Sequence, residues 1–192
     1  MAYDPNSHHR RSLRLRGHDY AEAGAYFITI CAERRACLLS TIAGGEVQLS
    51  AAGEIVQEEW LRTADIRPRV RLDVFVIMPN HLHAILEIAE TRELPVGAYC
   101  NTPLREPPGV RSLPLRSPSQ TLGAIIRGFK SATTRRVNAL RRTPGARFWQ
   151  RNYYEHIIRD EADLARLREY IACNAGRWAE DEENPANIRV NP

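Results

Sequence analysis

A chain of 192 residues, 43% hydrophobic and 26% charged with a net charge of +4, can bury roughly 70% of its unfolded surface in one core without disulfide or metal staples. It contains no apolar run of eighteen residues and no charged-then-apolar leader, so neither a membrane span nor a signal peptide is expected. Cys31, Cys37, Cys100 and Cys173 form no CxxC pair, which excludes a zinc knuckle and a secreted disulfide framework; reduced thiols in a soluble cytoplasmic protein are the expectation.

The charge is unevenly placed. The opening "HHRRSLRLR" carries four arginines, Arg10 and Arg14 among them, and residues 119–151 hold eight basic residues and no acid. Such acid-free segments read either as a phosphate-backbone footprint or as a solvated helix face plus a loose arm. The division predicted along residues 1–192 is a basic arm over 1–19, a core over about 20–178 with a Pro-rich insertion over 89–118, and an acidic tail over 179–192.

"GAYFITICAE" is β-branched and aromatic, as in a strand buried on both faces. "GGEVQLS" reads as a turn into a short strand, and Ser50 caps a helix whose Ala52, Ile55, Val56 and Trp60 recur at helical spacing. "RLDVFVIMPNHLHAILEI" gives two strands joined at Pro79-Asn80, because proline cannot donate to a central ladder. The insertion, with six prolines and no periodicity, is a loop rather than a boundary, since the chain beyond it is too short to fold alone. A helix starting at Ser117 or Ser119 has Leu122, Ile126, Phe129, Thr133 and Leu140 on one side and Arg127, Lys130, Thr134 and Asn138 on another. The first side packs and the second is free to hold phosphate. A strand over about Tyr153–Arg159 precedes a last helix capped by Asp160, with Leu164, Leu167 and Ile171 as its core stripe and Gly176 as its stop. This order of elements predicts an α+β fold, a central, mostly antiparallel sheet with helices packed on one face.

Two features carry chemistry. His81 and His83 stand two apart on a strand, so both rings project from one face about 6.5–7 Å apart and can share a metal ion at about 2.1 Å per nitrogen; the alternative is two hydrogen-bonded core histidines. Tyr170 and Asn174 are i and i+4 on the last helix, at the border of its apolar stripe. A phenol can act as a covalent nucleophile and an amide oxygen can complete a metal site, or the pair is a core-edge tyrosine with an asparagine near the helix end.

Taken together, "VIMPNHLHAIL", "LGAIIRGFKSATT", "FWQRNYYEHIIRDEADLARLREYI" and "RRSLRLRGHDYAEAGAYFITICAERRACLL" resemble the REP-associated tyrosine transposases, relatives of the single-tyrosine HUH transposases, from about Arg10 to Trp178 without the insertion. The resemblance implies a ferredoxin-like α+β fold, His81 and His83 as the HUH metal ligands, Asn174 as the third ligand and Tyr170 as the nucleophile. Ala175 stands where relatives often have proline after that asparagine. Tyr153 and Tyr154 are rival nucleophiles, without an amide partner one helical turn away. The implied activity is cleavage and rejoining of single-stranded DNA beside REP-type hairpins through a 5′-phosphotyrosine, with Mg²⁺ or Mn²⁺, by a monomer or homodimer near the nucleoid. Arg10, Arg14, Arg127, Lys130 and Arg135 are the candidate DNA contacts. The alternatives are a domesticated REP-hairpin binder without cleavage and a small metallohydrolase in which Tyr170 is structural.

Overall fold

The structure, a computed structural model, describes residues 23–90, 121–181 and 183–187. Arg10, Arg14, the candidate caps Ser117 and Ser119 and most of the Pro-rich insertion lie outside them. Its elements are β1 (Gly24–Cys31), a hairpin of β2 (Ser40–Ala43) and β3 (Glu46–Leu49), α1 (Ala51–Ile66), β4 (Val70–Ile77), β5 (His81–Ile88), α2 (Leu122–Arg141), β6 (Tyr154–Ile158) and α3 (Glu161–Cys173). The main sheet is fully antiparallel in the order β4-β5-β1-β6. Setting the β2–β3 hairpin and α3 aside leaves βαββαβ, the expected ferredoxin-like α+β order.

The "GAYFITIC" strand is central because both of its faces are apolar. Tyr26, Ile28 and Ile30 join Leu82, Ala84 and Leu86 of β5 beneath α1 and α2, and Trp60 and Phe129 meet edge to face there at 5.2 Å. Each large side chain buried in this layer contributes about 1.5–3 kcal/mol. Phe27 and Ile85 face the other way and meet Leu167 and Ile171 of α3. The expected single helical layer therefore holds for α1 and α2 only: α3 lies on the opposite face, because alternation along a strand that is apolar on both sides provides two packing surfaces.

The local signals account for most boundaries. The Ser50 side chain accepts from Gly53 N and caps α1, and the Asp160 side chain accepts from Asp163 N and caps α3. Thr121, accepting from Ala124 N, caps α2. Gly44 and Gly45, at φ 61° and 81°, make the two-residue turn of the β2–β3 hairpin; of its strands, the sequence predicts only the second. Gly176 does not stop α3: the chain passes through Asn174 in helical geometry into a tighter 3-10 segment, Ala175–Glu180. Leu140 is also not core. It is 51% exposed, and Ile125 and Val137 complete the buried stripe of α2 instead.

Candidate active site

The site forms where β5 faces α3. Cys31 pairs with His81 and Thr29 with His83, so both imidazoles stand on the α3 side of the sheet, in line with Ile85. Leu82 and Ala84 go to the opposite core. Both rings are buried, with centroids 4.3 Å apart.

Neighbours fix how the rings present themselves. Asn80 Nδ2 donates to the carbonyls of Arg35, at 3.2 Å, and Glu183, at 2.7 Å. That leaves Asn80 Oδ1 as an acceptor, 2.8 Å from His81 Nδ1. The proton of His81 therefore sits on Nδ1, and Nε2, buried and without a hydrogen-bond partner, presents a lone pair. Such an outer contact is the usual way a ligating histidine is oriented. His83 Nδ1 lies 2.8 Å from Thr29 Oγ1, and its Nε2 is 3.4 Å from Tyr170 Oη. Burial pushes both imidazoles down to about 3, the charge of Arg35 adding to the effect on His81 and that of His81 to the effect on His83. Both are neutral at physiological pH, the form that binds metal.

Three further groups converge. Asn174 is buried, and its Oδ1 also lacks a partner. Asp181 brings Oδ2 to 4.0 Å from His81 Nε2, and one ligand atom from each of His81, His83 and Asp181 lies within 4.8 Å of the others. Tyr170 is 41% exposed, its ring edge-on to His83 and Phe27. His83, Tyr170, Asn174 and Asp181 line one cavity of about 800 Å³. Buried polar atoms left unpaired are costly, and here two of them, His81 Nε2 and Asn174 Oδ1, stand in one site beside a carboxylate. That set of lone pairs fits a divalent cation.

His81, His83, Tyr170 and Asn174 are thus brought together as expected. Asp181 and Asn80 are the residues that sequence reasoning missed; Asp181 lies in a tail that reads as solvent-facing by composition, and Asn80 reads as a turn residue. The candidate DNA contacts on α2 do not reach this cavity, because α2 covers the other face. Lys130 is not a free cation. Its Nζ donates to the carbonyls of Gln150 and Asn152, at 2.9 and 2.8 Å, and burial pushes it down to about 8. Arg127 and Arg135 are exposed. Arg135 lines a groove of about 680 Å³ with Arg147 and Arg151. Of the rival tyrosines, Tyr153 lies beneath Lys130, while Tyr154 opens into the His83 cavity.

No family model matches the chain. A protein of Haemophilus influenzae, described as uncharacterized, is 43% identical over 180 residues, 94% of this chain and 96% of that protein. The chain belongs to the family of that protein. Among solved structures, one of a REP-associated tyrosine transposase bound to a REP hairpin is 18% identical and matches at a TM-score of 0.56 over 85% of this chain and 73% of that one. The shared feature is the fold. No helix among the described residues is long and apolar enough to cross a membrane.

Proposed function

We propose that the protein is a metal-dependent single-stranded DNA endonuclease and strand transferase, a REP-associated tyrosine transposase that cuts beside REP-type hairpins through a phosphotyrosine. The observation that carries this reading is Tyr170 Oη standing 3.4 Å from His83 Nε2, at the rim of a pocket where His81 Nε2 and Asn174 Oδ1 are buried without partners.

His81, His83 and Asn174 would hold the ion, with Asp181 in reach as a further ligand. A bound divalent cation supplies Lewis-acid polarisation of a phosphate and offsets charge in the transition state. Imidazole ligands favour Mn²⁺ over Mg²⁺. Tyr170 forms the new O–P bond while the P–O3′ bond breaks; the phenol proton is lost and the 3′-oxygen leaves with one, giving a 5′-phosphotyrosine and a free 3′-OH. The phosphodiester energy is retained, so attack by another 3′-OH rejoins strands without ATP. Phe27 and His83 fix the ring edge-on, and Asn174 sits one helical turn later, which couples the position of the nucleophile to the ligand set.

For the nucleic acid, the acid-free face of α2 supports backbone contacts by Arg127 and Arg135, extended by Arg147 and Arg151. Arg10 and Arg14 remain candidates from the sequence, and Lys130 is reassigned to holding the segment before β6. Charge reversal at Arg135 and Arg147 should weaken hairpin binding and flatten its salt dependence; an unchanged slope would remove the groove from the interface.

The deciding experiment is a denaturing gel of the protein with labelled hairpin DNA carrying unpaired flanks and Mn²⁺, wild type against Tyr170→Phe. A covalent adduct that disappears in the variant is expected. Cleavage without an adduct would instead identify a metallohydrolase, and binding without cleavage a hairpin-binding protein.

A further inference from the structure

The same cavity holds a second exposed tyrosine with no part in the chemistry above. Among the described residues, the exposed aromatic side chains are Tyr170, at 41%, and Tyr154, at 46%. Both line the cavity of His83 and Asn174. Tyr154 stands on β6, which among the described strands pairs with β1 alone; part of its ring packs against Phe27 and the rest is left exposed to the cavity.

The register places Tyr154 relative to the metal ligands. Val76 pairs with His83, His83 with Thr29 and Thr29 with Tyr154. The four form one row across the sheet on its α3 face. Neighbouring strands lie about 4.8 Å apart, so the backbone of Tyr154 stands two strands, about 10 Å, from that of His83. Thr29 between them is small and turned to the His83 ring, which leaves a depression between the imidazole and the Tyr154 phenol. Phe27 meets Tyr154 at 6.3 Å and Tyr170 at 6.0 Å, both edge to face. One buried phenylalanine thus braces both tyrosines, and their exposed portions open into the same space.

We infer that Tyr154 is a stacking platform for an unpaired base next to the phosphate attacked by Tyr170. The chemistry that fits is a flat aromatic base of a single strand: a braced ring offers a π-face to any base, and Arg177 at the cavity wall, with Arg166, which also pairs with Asp163, can meet an adjoining phosphate among the acids Glu169, Glu180 and Asp181. A double helix is disfavoured, because its bases are already stacked on each other. The role needs the ring of Tyr154 and not its hydroxyl. That separates it from a second nucleophile, which would need the oxygen. Stacking here aligns the strand across the sheet so that the next phosphate falls under Tyr170, making Tyr154 a positioning residue for the proposed reaction, on which this inference rests.

The test uses the full chain with Tyr170→Phe, so that binding is read without cleavage, and hairpin oligonucleotides with 2-aminopurine at each unpaired flank position in turn. Quenching at one or two positions is expected, lost with Tyr154→Ala together with about a tenfold fall in affinity, and kept with Tyr154→Phe and Tyr154→Trp. With Tyr170 restored, Tyr154→Ala should slow formation of the covalent adduct about tenfold at subsaturating DNA, and Tyr154→Phe, which keeps the ring, should recover it. Unchanged quenching and affinity in a folded Tyr154→Ala protein would overturn the platform while leaving Tyr170 chemistry standing. Loss of the adduct in Tyr154→Phe would overturn it in favour of a reacting hydroxyl. Failure of every form to bind unpaired DNA would instead refute the proposed function, and the platform with it.

Discussion

Asn174→Ala separates a metal ligand from a structural asparagine. In the metal-free protein Asn174 Oδ1 is buried with no hydrogen-bond partner, and holding such an acceptor dry costs about 1–3 kcal/mol. Truncation removes that cost and forfeits some packing, so metal-free stability should change by less than about 1 kcal/mol or rise, whereas a buried and satisfied asparagine would cost clearly more to remove. The metal-bound protein should respond in the opposite way. Mn²⁺ at a hundred times its dissociation constant stabilises a folded site by about 2.7 kcal/mol, which for a domain of this size raises the melting temperature by roughly 5–10 °C. In Asn174→Ala most of that rise should vanish at the same Mn²⁺ concentration. Urea unfolding with and without chelator, combined with melting curves across a Mn²⁺ titration, reads both quantities. A variant that is strongly destabilised without metal yet keeps the full Mn²⁺ shift would refute the assignment of Asn174 to the ion.

The packing and charge around the site set further expectations. A Cβ on Gly53 would lie 2.0 Å from the Leu39 carbonyl oxygen, whereas one on Gly176 meets nothing within 4 Å. Gly53→Ala should therefore destabilise by at least about 1–3 kcal/mol despite the better helix propensity of alanine, and Gly176→Ala should be neutral or slightly stabilising in the same urea assay. The metal-free protein should lose stability in acid: both imidazoles are held down to about 3, so the unfolded chain takes up their protons first as pH falls below about 6.5. By about pH 5 one such histidine costs about 2 kcal/mol, and a His81→Gln, His83→Gln double variant should show a shallower decline over that range. Lys130→Met leaves the Gln150 and Asn152 carbonyls without their donor and should cost about 1–3 kcal/mol of stability. Arg135→Glu, at an exposed position, should leave stability within about 0.5 kcal/mol and weaken DNA binding instead.

What could be read from the sequence depended on the range of the signal. β-Branched and aromatic apolar runs, Pro79-Asn80 and the caps Ser50 and Asp160 are local, and they located the four sheet strands, α1 and α3. His81, His83, Tyr170 and Asn174 stood out because their spacing makes sense only within one strand or one helical turn. Asp181 did not, since its approach to His81 spans 100 residues and is decided by the 3-10 segment after Asn174, which a glycine at position 176 argued against. Lys130 misled for a related reason. Charge periodicity cannot report that carbonyls twenty residues later claim the ammonium.

The division of the helices between the two faces explains why a site exists at all. With α1 and α2 covering one side, the odd-numbered residues of β5 would face water unless something covered them, and α3 covers them incompletely: of its side chains only Leu167 and Ile171 are buried. Half-buried Leu164 and the edge-on contact of Tyr170 with Phe27 add to this packing, and polar pairs, Arg168 to Asp73 at 2.9 Å and the half-buried His156 to Asp163 at 2.7 Å, hold its sides. The histidines are therefore fixed in the middle of a sheet while the tyrosine rides on a lightly packed helix. In the proposed reaction two ligands, His81 and His83, keep their geometry on the sheet, while Tyr170 lies on α3 and Asn174 is its C-cap, so a shift of that helix would move the nucleophile and the third ligand together. Under the proposed function, strand transfer would therefore depend on how α3 sits against the sheet, and substitutions that loosen Leu167 or Ile171 would weaken metal binding and adduct formation together.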